Sequence, residues 1–157
     1  MVVIEMSNGH EIKIELDEKS APITCANFKK LVEEGFYDGL TFHRIISGFM
    51  IQGGDPWGNG MGGSKENIKG EFLANGVDNP LRHSRGTISM ARAMDYDSAS
   101  SQFFIVHQDA HFLNGQYAAF GHVVSGMDTV DEIAGVPTGM NDRPIEPVVM
   151  KRVYISD

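Results

Sequence analysis

Cysteine is almost absent from these 157 residues: Cys25 stands alone. No internal disulfide can form, and zinc sites built on paired cysteines are excluded. Long apolar runs are missing too. Stretches such as Phe103–Val106 cover a handful of residues, too few to span a bilayer. Positive charge is scarce, with 13 Lys and Arg against 21 Asp and Glu and a formal net charge of -8. Nucleic acid is a poor partner for such a chain, since phosphate binding draws on clustered cations. The opening MVVIEMSNGHEIKIEL has no basic segment leading into an apolar stretch and a small-residue cleavage site, so no secretory signal is expected. A soluble, cytoplasmic protein is the expectation, with no membrane partner.

What is present is globular: 41% apolar and 22% charged residues, enough for a single domain over residues 1–157 with its own core. Glycines number 18 and are spread among short apolar runs, the pattern of strands joined by tight turns. Val2, Ile4 and Met6 alternate along one strand candidate, and Ile12, Ile14 and Leu16 along the next. Asn8-Gly9 between them predicts a type I′ hairpin turn. Asp38-Gly39 and Asn114-Gly115 repeat that signal before Leu40–Ile46 and Gln116–Val124. Pro22 opens a helical pattern that Gly35 ends, and Asp128–Ala134 is a shorter one closed by Gly135. Many short strands with two helices predict a mainly β fold, a closed barrel whose ends the helices cap.

Most chemical motifs fail on context. Gly58–Gly63 satisfies G-x-G-x-x-G, but Ser64-Lys65-Glu66-Asn67 follows with no apolar helical face, so a surface loop is the better reading. His107 and His111 are four apart, yet Gln108-Asp109-Ala110 between them reads as a turn, and no metal site is expected. No G-x-S-x-G elbow exists, and Cys25 lies inside a helical segment, where a packed thiol is the default. Two stretches stand out. In Tyr37–Pro56, alternation from Thr41 puts Phe42, Arg44 and Ile46 on one strand face, His43 and Ile45 on the other. An arginine there needs partners, or sits at a rim; Phe49, Met50 and Gln52 bring a ring, a thioether and an amide close to it. In Thr87–His107, Gln102 and Phe104 point together.

Tyr37, Phe42-His43-Arg44-Ile45-Ile46, Phe49-Met50 and Gln52-Gly53-Gly54 resemble the signature of cyclophilin-type peptidyl-prolyl isomerases. Ser89-Met90-Ala91, Ser101–Ile105, Phe112–Gly115 and Phe120-Gly121 follow in the family's order, so the resemblance runs from Val2 to Ile155. It implies a closed eight-stranded antiparallel barrel capped by two α-helices, with an external groove for proline-containing peptides and unfolded or folding chains. By position it implies Arg44, Phe49 and Gln52 as catalytic residues, and a proline pocket of Phe49, Met50, Phe104 and Leu113. Gln52 and the backbone of Ala91, Arg92 and Ala93 would hold the chain, and Gln102, Phe112 and Tyr117 would complete the groove. His43 and Gly60 would support the site. No cofactor is implied, and a monomer is the default.

Three departures qualify the likeness. Phe112 stands where many members carry tryptophan, which implies weak cyclosporin binding. Tyr117 replaces a frequent histidine, removing a titratable group. Arg92 replaces a frequent asparagine and predicts a preference for acidic residues beside the proline. A proline-peptide binding module with little turnover is the competing reading, and a ligand-binding barrel with the glycine loop at its mouth is a weaker third.

Overall fold

The computed structural model describes residues 1–156. Eight strands form one antiparallel sheet: β1 (Val2–Met6), β2 (Glu11–Leu16), β3 (Arg44–Ile46), β4 (Met50–Gly53), β5 (Thr87–Met90), β6 (Phe103–Val106), β7 (Ala119–Ser125) and β8 (Met150–Ile155). Their order across the sheet is β3-β4-β6-β5-β7-β2-β1-β8. Two helices, α1 (Pro22–Glu33) and α2 (Met127–Ala134), match the expected segments closely.

The expected closure is not made. The sheet is an open half-barrel with β3 and β8 as its end strands. The isolated bridge between Thr41 and Val149, with Gly39 N–H on Met150 O, Phe42 N–H on Val148 O and Met150 N–H on Leu40 O, joins the segments beside them. Strand geometry lapses at Phe42 and His43 and resumes at Arg44, so no continuous ladder closes the gap. The same lapse corrects the alternation expected from Thr41. Phe42 does not share a face with Arg44; its ring is fully buried in the core, 6.0 Å from the Phe103 ring.

The Asn8-Gly9 turn also differs from expectation. Met6 N–H bonds His10 O across a three-residue loop, Gly9 N–H bonds Met6 O, and Asn8 Oδ1 accepts from His10 N–H. Only Gly9 takes a positive φ, +88°, so the extra residue makes a G1-bulge loop instead of a type I′ turn. Asp38-Gly39 and Asn114-Gly115 redirect the chain but join no paired strands: Asp38 follows α1, and Asn114 follows a 3-10 turn at His111–Leu113.

Alternation along β4 and β6 divides the side chains between two clusters. Ile51, Phe103 and Ile105 face the main core, where the Phe103 ring lies edge-on to Phe28 and Tyr37 at 5.4 Å each. Met50, Phe104 and Val106 face outward into a smaller cluster with Ala110 and Leu113. That outer cluster is the floor on which the functional residues stand.

Candidate active site

Arg44 and Gln52 are direct partners across the β3–β4 pair, and Gln52 is opposite Phe104 across β4–β6. Three adjacent strands thus deliver a guanidinium, an amide and a ring to one outward patch. Arg44, Phe49, Met50, Gln52 and Phe104 line a recess of about 160 Å³. Ala91, Arg92, Leu113 and Tyr117 complete it, so nine of the expected site residues meet in one place. Arg44 is exposed and belongs to no ion pair among the described residues.

The other expected residues fall at increasing distance from that recess. Gln102, Ala93 and Gly60 line a neighbouring recess of about 340 Å³ that shares Gln52, Ala91 and Arg92 with the first. Phe112 is 73% exposed and stands at the rim, its ring 5.6 Å from that of Phe49. His43 is not in the groove. It is buried on the opposite side of β3, beside Thr41, Asp55 and Arg143, and neither ring nitrogen has a hydrogen-bond partner. Burial lowers its pKa; Asp55 opposes that shift, while Arg143 and Arg44 add to it.

A chain of amides ties the two recesses together. Arg44 Nη1 lies 3.4 Å from Gln52 Oε1, and Gln52 Nε2 donates to Gln102 Oε1 at 2.9 Å. Gln102 Nε2 in turn donates to Gly60 O and Gly62 O at 3.0 and 2.8 Å. The glycine loop is therefore a structural wall of the groove.

Arg92 departs from its expected reach toward acidic substrate residues. Its Nε and Nη2 donate to Gln116 O and its Nη1 to Ala93 O. The guanidinium carbon also lies 5.0, 5.0 and 4.6 Å from the Phe72, Tyr96 and Tyr117 ring centres. Carbonyls and π faces satisfy the cation where it is, so it braces the groove wall. The backbone beside it is freer: Ala91 N–H is taken by Gln102 O and Ala93 N–H by Ser98 Oγ, but Arg92 N–H has no partner among the described residues.

Two buried residues that support the site were not singled out from the sequence. His83 stacks under Phe104 at 5.9 Å and 19°. Its Nδ1 is 3.1 Å from Asn114 Oδ1 and its Nε2 2.8 Å from Ser89 Oγ. No sequence spacing signals such a stack. Asp55, 1% exposed, accepts N–H bonds from Trp57, Asn59 and Gly60. Burial alone would raise its pKa, but the N–H groups of Trp57, Gly62, Asn59 and Gly60 together outweigh this and hold it below the usual carboxylate range. An aspartate opening a Gly- and Asn-rich loop was the available signal for that role.

Residues 1–155 match the family model described as cyclophilin type peptidyl-prolyl cis-trans isomerase/CLD. The chain is 50% identical over 123 residues to peptidyl-prolyl cis-trans isomerase B of Bacillus subtilis, covering 78% of this chain and 82% of that one. It is 44% identical over 163 residues to a peptidyl-prolyl cis-trans isomerase of Acinetobacter baylyi, covering 98% and 85%. A cyclophilin-type isomerase of Cryptosporidium parvum, whose crystal structure was determined in the presence of the dipeptide Ala-Pro, superposes with a TM-score of 0.90 at 34% identity, covering 99% and 98%. Fold, sequence and the Arg44 patch converge, and the chain belongs to the cyclophilin-type peptidyl-prolyl cis-trans isomerases.

Proposed function

We propose that this protein accelerates rotation about X–Pro bonds by gripping the proline ring in the Arg44 recess and donating a hydrogen bond from Arg44 to the proline nitrogen. The isomerase activity follows from family membership; the residue roles are those the resemblance implies, supported by the shared recess. Phe49, Met50, Phe104 and Leu113 form the apolar walls, Gln52 orients Arg44, and the free Arg92 N–H is a site for the peptide backbone. The Ala-Pro dipeptide used with the Cryptosporidium parvum relative supports proline-containing peptides as the substrate class here.

The chemistry needs little more. Rotation is resisted by about 18–20 kcal/mol because the nitrogen lone pair is delocalised into the carbonyl. The cis and trans X–Pro forms differ by only about 0.5–1 kcal/mol, so the task is kinetic and no covalent bond breaks. As the bond twists, the nitrogen recovers its lone pair and becomes an acceptor. A donor placed there binds the twisted form better than either planar form, and such differential binding accelerates the step. The apolar walls strengthen that contact by excluding water.

The observation that carries this reading is an unpaired guanidinium and an apolar cup in one small recess. A protease-coupled assay on a proline tetrapeptide tests it. Arg44→Ala is expected to lose about 10²-fold in kcat/KM, the scale of one preorganised donor. A near-normal rate would overturn it, and binding without turnover in the unaltered protein would favour a scaffold.

A further inference from the structure

The Phe49 wall of the recess stands on the turn between β3 and β4, and that turn is held from outside. Phe49 N–H closes on Ile46 O, and Gly48 adopts φ +82°. The ring of His107, just beyond the end of β6, reaches this turn: Gly48 N–H donates to His107 Nδ1 at 2.9 Å. The same residue's backbone N–H donates to Phe49 O at 2.8 Å. One histidine therefore holds the Ser47–Gly48 peptide through its ring and the Phe49–Met50 peptide through its backbone, one on each side of the Gly48–Phe49 link.

Because Nδ1 accepts, the ring proton resides on Nε2. Nε2 lies 3.0 Å from Asp131 Oδ1 on α2. Asp131 is fixed in turn by a two-pronged contact with Arg85, whose Nη1 and Nη2 are each 2.8 Å from its oxygens. Arg85 Nη1 also donates to His107 O, closing the cluster. A carboxylate that fixes the tautomer of a histidine, whose other nitrogen does the positioning, is a familiar supporting arrangement. The His107 side chain is only 12% exposed, so solvent does not substitute readily for these contacts.

We propose that His107, oriented by Asp131, is a positioning residue for the isomerase reaction: its ring fixes the Ser47–Gly48 peptide of the turn and thereby the Phe49 wall of the proline pocket. This rests on the reading of the Arg44 recess as that pocket. Phe49 contacts the proline ring in the ground state and in the twisted state alike, so loosening it weakens binding uniformly and raises KM while leaving kcat nearly unchanged.

The conservative variants separate positioning from mere packing. In His107→Asn the amide oxygen falls near the position of Nδ1 and keeps the Gly48 bond. In His107→Gln the amide reaches Asp131 but nothing accepts from Gly48. Steady-state isomerisation of a proline tetrapeptide is expected to show KM raised about fivefold by His107→Gln, the scale of one lost hydrogen bond, with kcat within about twofold. His107→Asn should restore KM to within about twofold of the unaltered value. Asp131→Ala should raise KM in the unaltered background and add nothing once His107→Gln is present. An unchanged KM in His107→Gln, or equal damage by Asn and Gln, would overturn the inference. Ring 15N shifts of the unaltered protein give a readout that no variant can spoil: a proton on Nε2 is expected, and a proton on Nδ1 would also overturn it. Failure of the pocket reading looks different, because Arg44→Ala would then keep its full rate; the positioning role alone fails if Arg44→Ala is disabled while His107→Gln keeps its KM.

Discussion

Arg44 and Gln52 face one another as register partners across β3 and β4, with Nη1 3.4 Å from Oε1. The contact is long enough to orient the guanidinium without consuming its donors. Gln52→Ala should therefore slow isomerisation less than Arg44→Ala, by about tenfold against about 10²-fold. Arg44→Lys should recover little of the loss, since an ammonium cannot hold Gln52 and reach the proline nitrogen as a planar fork does. Rates for all three variants on one tetrapeptide check the ranking, and equal losses from Arg44→Ala and Gln52→Ala would contradict it.

Cyclosporin is expected to bind weakly. Phe112 projects from the rim, packs on Phe49 and has no side-chain N–H to offer a ligand. Phe112→Trp adds an indole donor at that rim and should tighten binding by about tenfold, the value of one good hydrogen bond. Calorimetric titration of both proteins decides this; nanomolar binding by the unaltered chain would refute it.

Stability should fall as the pH drops below the ordinary histidine value of 6.5. Burial lowers the pKa of His83, with the Asn114 bond opposing and His111 adding to the shift. Burial lowers His43 as well. The unfolded chain then takes up protons at a higher pH than the folded one, so the stabilisation is complete above about 6.5 and lost as pH falls through the folded values. The slope is at most about 1.4 kcal/mol per pH unit for each group. Asp55, whose pKa is lowered from 3.8, loses its contribution only in more acidic solution and leaves this window alone. Melting temperatures at pH 7.5 and 5.5 should differ, and His83→Gln should reduce the difference; a flat profile would contradict the assignment.

How much of this was legible in the sequence depends on the range of the interaction. The two helices were readable because Pro22, Gly35 and Gly135 act on their own neighbourhoods. The groove residues were readable through family spacing, and nine of them meet in one recess. Openness of the sheet was not, because it depends on whether Leu40–Phe42 and Val148–Met150, over 100 residues apart, extend their ladder. The fate of Arg92 was equally hidden. Its direction is set by three rings and a carbonyl drawn from Phe72, Tyr96, Tyr117 and Gln116, none a helical or strand neighbour.

Asp55 offers the last test, at the far end of the amide chain that leads to Arg44. Its carboxylate gathers the N–H groups of Trp57, Asn59 and Gly60, which aims the Gly60 and Gly62 carbonyls at Gln102. A side chain at Gly62 would collide with that carboxylate, so the loop and the aspartate are built as one unit. Asp55→Asn keeps one acceptor oxygen but turns an amino group toward converging N–H donors. The expected cost is about 2–3 kcal/mol, the range for hydrogen bonds to a buried charge, or several degrees in melting temperature for a chain of this size. Hydrogen exchange at Gly60 should quicken well beyond that at Phe103 in the sheet, because the loop can open without the core. Equal acceleration at both amides would mean that Asp55 stabilises the whole fold and does not hold the loop on its own.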